Sequence, residues 1–173
     1  ADGAEVCAGL DLATTTDLAS FCVAAPRDGG DAVERKYFIA QERMREIEKE
    51  HRVPYSTWAR EGYVIATPGE TIDYSVIIKE ILKEYERLNI EYCGYDAWNC
   101  AAVSQKLEAE GLKMVKVNQS VAALSEPCKE LERCVLEGKL EHRDNPVSRW
   151  NAASVEVFTD GNGNIKPIRP KHS

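Results

Sequence analysis

Two aspartates stand where strand-like runs give out. Asp11 closes the mostly apolar EVCAGLDL at 5–12, and Asp96 lies near the end of IEYCGYDAW at 90–98. If those strands are neighbours in one sheet, the two carboxylates come side by side at its edge. Carboxylates held together repel unless a hard cation neutralises them, and Mg2+ or Mn2+ favours such oxygen ligands. Two such ions about 3.5–4 Å apart can activate a water and stabilise the leaving oxygen of a phosphodiester. Each residue also has a plainer reading. Asp11 precedes a Thr-rich turn and suits a turn-former; Asp96 can cap the helix that follows it. Asp17 ends the turn TTTD at 14–17, where a bond to hydroxyls or backbone accounts for it. His142, in EHRDNP, can orient a water or a phosphate at a metal edge or be an ordinary surface histidine, and Asp144 belongs to the DNP turn.

The elements that would position these groups follow from periodicity. After the first strand, LASFCVAAP at 18–26 is a second buried strand, and ERKYFIA at 34–40 follows the turn RDGGD. QERMREIEKEH at 41–51 has helical composition, and the irregular stretch at 53–69 contains a short strand ended by Pro68-Gly69. From Thr71, Ile77, Ile78, Ile81, Leu82, Tyr85 and Leu88 recur at helical spacing, with Asp73 or Thr71 able to cap that helix. The strand at 90–98 runs into NCAAVSQKLEAEG, which Asn99 can cap and Gly111 close. LKMVKVNQ at 112–119 predicts another strand, and Ser125-Glu126-Pro127 opens a helix to Gly138. The tail holds a hairpin around Asp160–Asn164; the calcium-loop pattern fails there, because Ile165 stands where Gly is needed. Three antiparallel strands followed by strand–helix units predict an α/β fold, a mixed sheet flanked by helices, with reactive groups gathered at strand ends.

The 173 residues fit one domain able to bury a core. No apolar run has the length to span a membrane. The net charge of −7 argues against a protein that coats nucleic acid through a general basic surface, but a metal-dependent nuclease must itself concentrate carboxylates. Lys113, Lys116, Lys129, Arg133, Lys139, Arg143 and Arg149 can track a phosphate backbone or simply be solvated, and they define no groove. The six cysteines form no CxxC pair and have no His cluster nearby, so they suit small buried thiols better than zinc or disulfides. Trp58, Trp98 and Trp150 are expected as core or cover residues.

The ordered segments GLDLATTTDLASFCVA, VPYSTWAREGYVIATPGETIDYSVI, YDAWNCAAVSQKLEAEG and LEHRDNPVSRWNAASVEVFTDGNGNIKP resemble the ribonuclease H-like nuclease domain of tailed-phage terminase large subunits over nearly the whole chain. The resemblance implies an Mg2+- or Mn2+-dependent endonuclease, with two ions, that cuts concatemeric double-stranded DNA and leaves a 3′-hydroxyl. It puts the family's first metal-binding aspartate on Asp11 and its second acid on Asp96. The wider fold can also hold a carboxylate where Asp73 stands. The family's third acid follows the late hairpin and is expected beyond Ser173, in a C-terminal helix that this sequence lacks. No GxxxxGK[ST] loop is present, so the family's ATPase half is expected elsewhere. The implied partners are that ATPase domain, the small terminase subunit and the portal, in the cytoplasm of a bacterial host.

Two other readings compete. GLDLATTT superficially resembles the first phosphate loop of actin-like ATPases, but Leu12 occupies a position that wants Gly, and the chain is too short for that fold's two halves. A catalytically silent module that keeps the nuclease fold is the other, and the missing third acid favours it.

Overall fold

A computed structural model of the chain describes residues 5–13, 17–98 and 100–168. Asn99, Thr14–Thr16 and the C-terminal residues from 169 lie outside them, so the expected Asn99 cap and most of the TTTD turn fall there. β1 (Val6–Asp11), β2 (Ala19–Arg27) and β3 (Gly30–Ala40) form the expected antiparallel meander. β4 (Ile65–Thr67), β5 (Ile90–Tyr95) and β6 (Met114–Lys116) complete a sheet of order β4-β3-β2-β1-β5-β6, and β7 (Leu140–Glu141) adds to the far end of β3. β5 joins β1 in parallel, with Leu10 opposite Tyr95.

Alternation along the strands decides which residues meet which layer. Val6, Ala8 and Leu10 of β1, Phe21 and Val23 of β2, Phe38 of β3 and Cys93 of β5 share one buried face. It is covered by α3 (Tyr74–Arg87), through Ile77 and Ile81, and by α4 (Ala101–Ala109), through Val103 and Leu107. On the opposite face, Tyr37 and Ile39 of β3 pack under α1 (Met44–His51), α2 (Tyr55–Arg60) and α6 (Pro146–Ser154), which contribute Ile47, Tyr55, Trp58 and Val147. The result is a mixed sheet between two helical layers, as expected. Among the described residues, no helix is long and apolar enough to cross a membrane.

The structure departs from expectation in the later elements. α5 (Val121–Leu136) begins ahead of Ser125, because Ser120 caps it by accepting from the Ala123 N–H at 3.2 Å. Pro127 therefore sits inside the helix, where it removes one backbone donor. Ser125 is buried instead, and its Oγ accepts the Ile165 N–H at 3.1 Å. That bond ties α5 to the tail hairpin of β8 (Glu156–Thr159) and β9 (Ile165–Ile168), whose turn Asp160 closes by accepting from the Asn162 and Asn164 amides. Helices α2 and α6 were not expected. α6 is capped by Asn145, which accepts from Val147 and Ser148, with Pro146 in the tolerated first turn. The predicted strands at 90–98 and 112–119 shorten to β5 and β6. Gly30 lets β7 approach: a Cβ there would lie 2.2 Å from the Lys139 carbonyl oxygen.

Across β3 and α3, Lys36 Nζ lies 2.8 Å from Glu80 and 2.9 Å from Glu84. The Lys36 hydrogen bond, with that of Lys83, holds the Glu80 carboxyl below the ordinary value of 4.5. Burial of Glu84 acts in the opposite direction, but bonds from Lys36 and Arg87 prevail and lower it as well. The folded chain therefore binds fewer protons at these groups than the unfolded chain does. Their stabilisation is complete above the ordinary glutamate value and is lost as pH falls through the depressed folded values. Urea titrations at a series of acidic pH values are expected to show wild type losing stability there more steeply than Lys36→Met, in which the shared cation is gone. Equal slopes for the two proteins would refute this.

Candidate active site

Asp11 is the last residue of β1, on the face opposite the buried Leu10, and it stands across from Ser20 of β2, which in turn stands across from Tyr37 of β3. The Leu10–Tyr95 pairing puts Asp96, one residue beyond β5, at the position next to Asp11. Asp96, Asp11, Ser20 and Tyr37 thus form a row across one sheet edge. The buried Cys100 thiol lies near both acids and is pushed up to about 11 by burial first and then by the charges of Asp11 and Asp96. The Asp96 carboxylate also accepts the Trp98 N–H at 3.0 Å, so it closes a tight turn between β5 and α4.

A cleft of about 280 Å³ opens on the β2 side of Asp11, lined in part by Asp17, Ser20, His51, Tyr55 and Asn151. Its far wall is aromatic. Tyr55, Trp58 and Trp150 pack edge-on or tilted with ring centroids 5.7–6.2 Å apart, an arrangement favoured by aromatic quadrupoles. Within that wall, His51 Nδ1 lies 3.2 Å from the Tyr55 hydroxyl. Burial and then the nearby charge of Asp17 push Tyr55 up to about 12, so it stays a neutral phenol. Asp17, expected only as a turn residue, therefore faces the same cleft as Asp11.

The chain matches, over residues 1–173, the family described as the terminase large subunit, endonuclease domain. It belongs to that family. A curated relative, the terminase large subunit of Enterobacteria phage HK97, is 30% identical over 167 residues, covering 95% of this chain and 33% of the relative. The crystal structure of the HK97 bacteriophage large terminase superposes with a TM-score of 0.87 at 29% identity, covering 95% of this chain and 35% of that one. The chain thus spans about a third of these relatives. The large terminase nuclease from thermophilic phage G20c shares the fold, with a TM-score of 0.62 at 15% identity over 99% of this chain and 75% of that one; that nuclease has also been solved with bound magnesium and with bound cobalt. The terminase nuclease fold, ribonuclease H-like, is therefore the fold of this chain.

Within this terminase nuclease fold, the residues singled out by sequence separate. Asp11 and Asp96 come together. Asp73 is the N-cap of α3, its carboxylate accepting the Ser75 N–H at 2.8 Å; bonds to Ser75 lower its carboxyl below the ordinary value. His142 follows β7, which pairs with Asp31 and Ala32 at the opposite end of β3 from Tyr37. It is exposed and does not line the cleft, whereas His51 does. His51, Asp17 and Asn151 were missed as cleft residues. The only sequence trace was the His51–Tyr55 spacing of one helical turn, interrupted by Pro54. Trp58 and Trp150 are packed as expected, but Trp98 is 80% exposed and covers nothing.

The donor set suits a hard divalent ion. Both strand-end groups are carboxylates, with the Ser20 hydroxyl beside Asp11 as a further oxygen. Among the described residues, no group of three or more His, Cys, Asp or Glu is arranged to hold a metal. Magnesium fits a pair of carboxylates, since it keeps several waters and takes the rest of its shell from substrate phosphate.

Proposed function

We propose that this terminase nuclease chain is an endodeoxyribonuclease that hydrolyses phosphodiesters of double-stranded DNA with Mg2+ or Mn2+ held by Asp11 and Asp96. The observation that supports this most is the parallel pairing of β1 with β5, whose register aligns the ends of the two strands. When bound, the divalent ions supply charge neutralisation at the phosphate and an activated water. The chain's part is to hold two carboxylates side by side on adjacent strands. The cleft beside Asp11 provides room for one DNA strand against the wall carrying His51 and Tyr55. Phosphate contacts of this kind position DNA without reading its bases, so little sequence preference is expected.

In the longer protein that the relatives suggest, this activity would cut concatemeric DNA during head packaging, beside an ATPase domain and with the small subunit and portal as partners, in the host cytoplasm. A third carboxylate, contributed from outside residues 1–173, would complete the ligand set, and Asp73 would serve as the cap of α3 rather than as a ligand. The test is a nicking assay on supercoiled plasmid. Nicking with Mg2+ or Mn2+ that stops with EDTA is expected, with activity rising when the chain is extended at its C-terminus. A second reading, a catalytically silent module, is favoured by the lack of a three-ligand group among the described residues. Absence of nicking by both the chain and its extended form would select it.

A further inference from the structure

We infer that Trp98 is a DNA-contacting residue, an aromatic platform beside Asp96 that presses on a base or sugar of the strand held at this sheet edge; this rests on the nuclease reading above. Trp98 differs from the other two tryptophans. Trp58 is buried, and Trp150 packs against it and Tyr55, while Trp98 leaves 80% of its surface to solvent. It contributes nothing to either core cluster. An indole spent on water is unfavourable for an isolated fold, and aromatic faces on nucleic-acid-binding edges are used for stacking.

Its position points to the occupant. The Trp98 amide is bonded to the Asp96 carboxylate at 3.0 Å, which ties the indole's backbone to one of the two acids. On the neighbouring strand, Lys116 is opposite Tyr95, and the Val117 N–H donates to the Tyr95 carbonyl at 2.9 Å, so the end of β6 flanks the same turn. Five of the seven later basic residues are engaged in ion pairs: Lys129, Arg133, Lys139, Arg143 and Arg149. No carboxylate pairs with the exposed Lys116 among the described residues, but its register with Tyr95 and Leu10 sets it on the face opposite Asp11, so the aromatic and not the cation marks the acid side. An exposed aromatic on the turn that carries Asp96 suits a strand with stackable bases better than an apolar protein surface.

The test exploits the fact that Asp96 is held by the backbone of Trp98, so Trp98→Ala removes the indole and keeps that bond. With Ca2+ in place of Mg2+, so that Asp11 and Asp96 are both kept, a fluorescein-labelled duplex carrying a single-stranded overhang, whose bases are free to stack, is titrated and followed by anisotropy. Trp98→Ala is expected to bind about 5- to 150-fold more weakly, the span associated with loss of one aromatic–base stack, and Trp98→Phe to recover most of the affinity. The acrylamide-quenchable share of tryptophan emission, which Trp98 dominates, should fall when duplex is added. With Mg2+ restored, Trp98→Ala should raise KM for nicking with kcat retained. Unchanged affinity in Trp98→Ala together with unaltered quenching overturns the inference and leaves the nuclease reading standing. Emission already shielded without DNA, and exposed on dilution, assigns Trp98 to a contact between copies and also overturns it. Failure of every variant to bind duplex removes both readings.

Discussion

Asp11→Asn and Asp96→Asn are each expected to reduce metal-dependent plasmid nicking by more than about 100-fold, since even residues that only support metal ligands are worth 10–100-fold. Asparagine keeps the size and one oxygen of aspartate and removes the charge that a divalent ion requires. The position of each residue limits collateral damage. Asp11 is exposed at a strand end, and Asp96 lies past the end of β5, outside the ladder that holds the sheet. Asn at position 96 can still accept the Trp98 amide, so the turn is expected to persist. Under the proposal that the two acids serve one site, the double variant should be barely worse than either single one. Circular dichroism shows whether the fold is retained, and nicking is then measured over a range of Mn2+ concentrations. Wild-type nicking by either variant at saturating metal would sink the assignment of that residue.

Phe21→Ala is expected to cost about 3–5 kcal/mol of stability, the range for truncating a fully buried aromatic. Phe21 is 1% exposed on β2, which has a partner strand on each side, and it belongs to the cluster under α3 and α4. Neither flanking strand can close the gap without breaking the pairing of Leu10 with Phe21 or of Phe21 with Lys36. For a chain of this length that corresponds to a fall of about 6–20 °C in melting temperature. Thermal unfolding followed by circular dichroism measures it. A fall of under about 2 °C would show that the sheet's middle is not where the stability resides.

The strand meander, the long amphipathic helix α3 and the two strand-end aspartates were legible because each rests on a local pattern. Val6, Ala8 and Leu10 alternate, Ile77 and Ile81 recur at helical spacing, and Asp11 and Asp96 each follow an apolar run. The cleft was not legible, because its wall is assembled from α1, α2 and α6 across β3. His51 and Asn151 meet there only through tertiary packing, which no periodicity records. α6 carried its signals in plain form, Asn145 followed by Pro146, but the Asp-Asn-Pro run that holds them is also a turn signal. The start of α5 was misplaced because Glu-Pro is a strong sign of a first turn, and here the Ser120 cap outweighed it. The exposure of Trp98 went against its type: large aromatics are usually covered, and only the geometry of the turn after β5 leaves this one bare.

The β1–β5 pairing has a kinetic consequence. β1, β2 and β3 are joined by short turns and close local contacts, whereas β5 must return across α1, α2, β4 and α3 to lie beside β1. Closing that long loop costs more chain entropy and contributes slow, non-local contacts. Pulse-labelling hydrogen exchange during refolding is expected to protect amides of β2 and β3 ahead of those of β5; simultaneous protection would count against this order. Until β5 arrives, the chain has one strand-end carboxylate and no pair. Under the proposed nuclease reading, a partly folded chain, as it emerges during synthesis, would be unarmed, and competence to cut would be postponed until the sheet is whole.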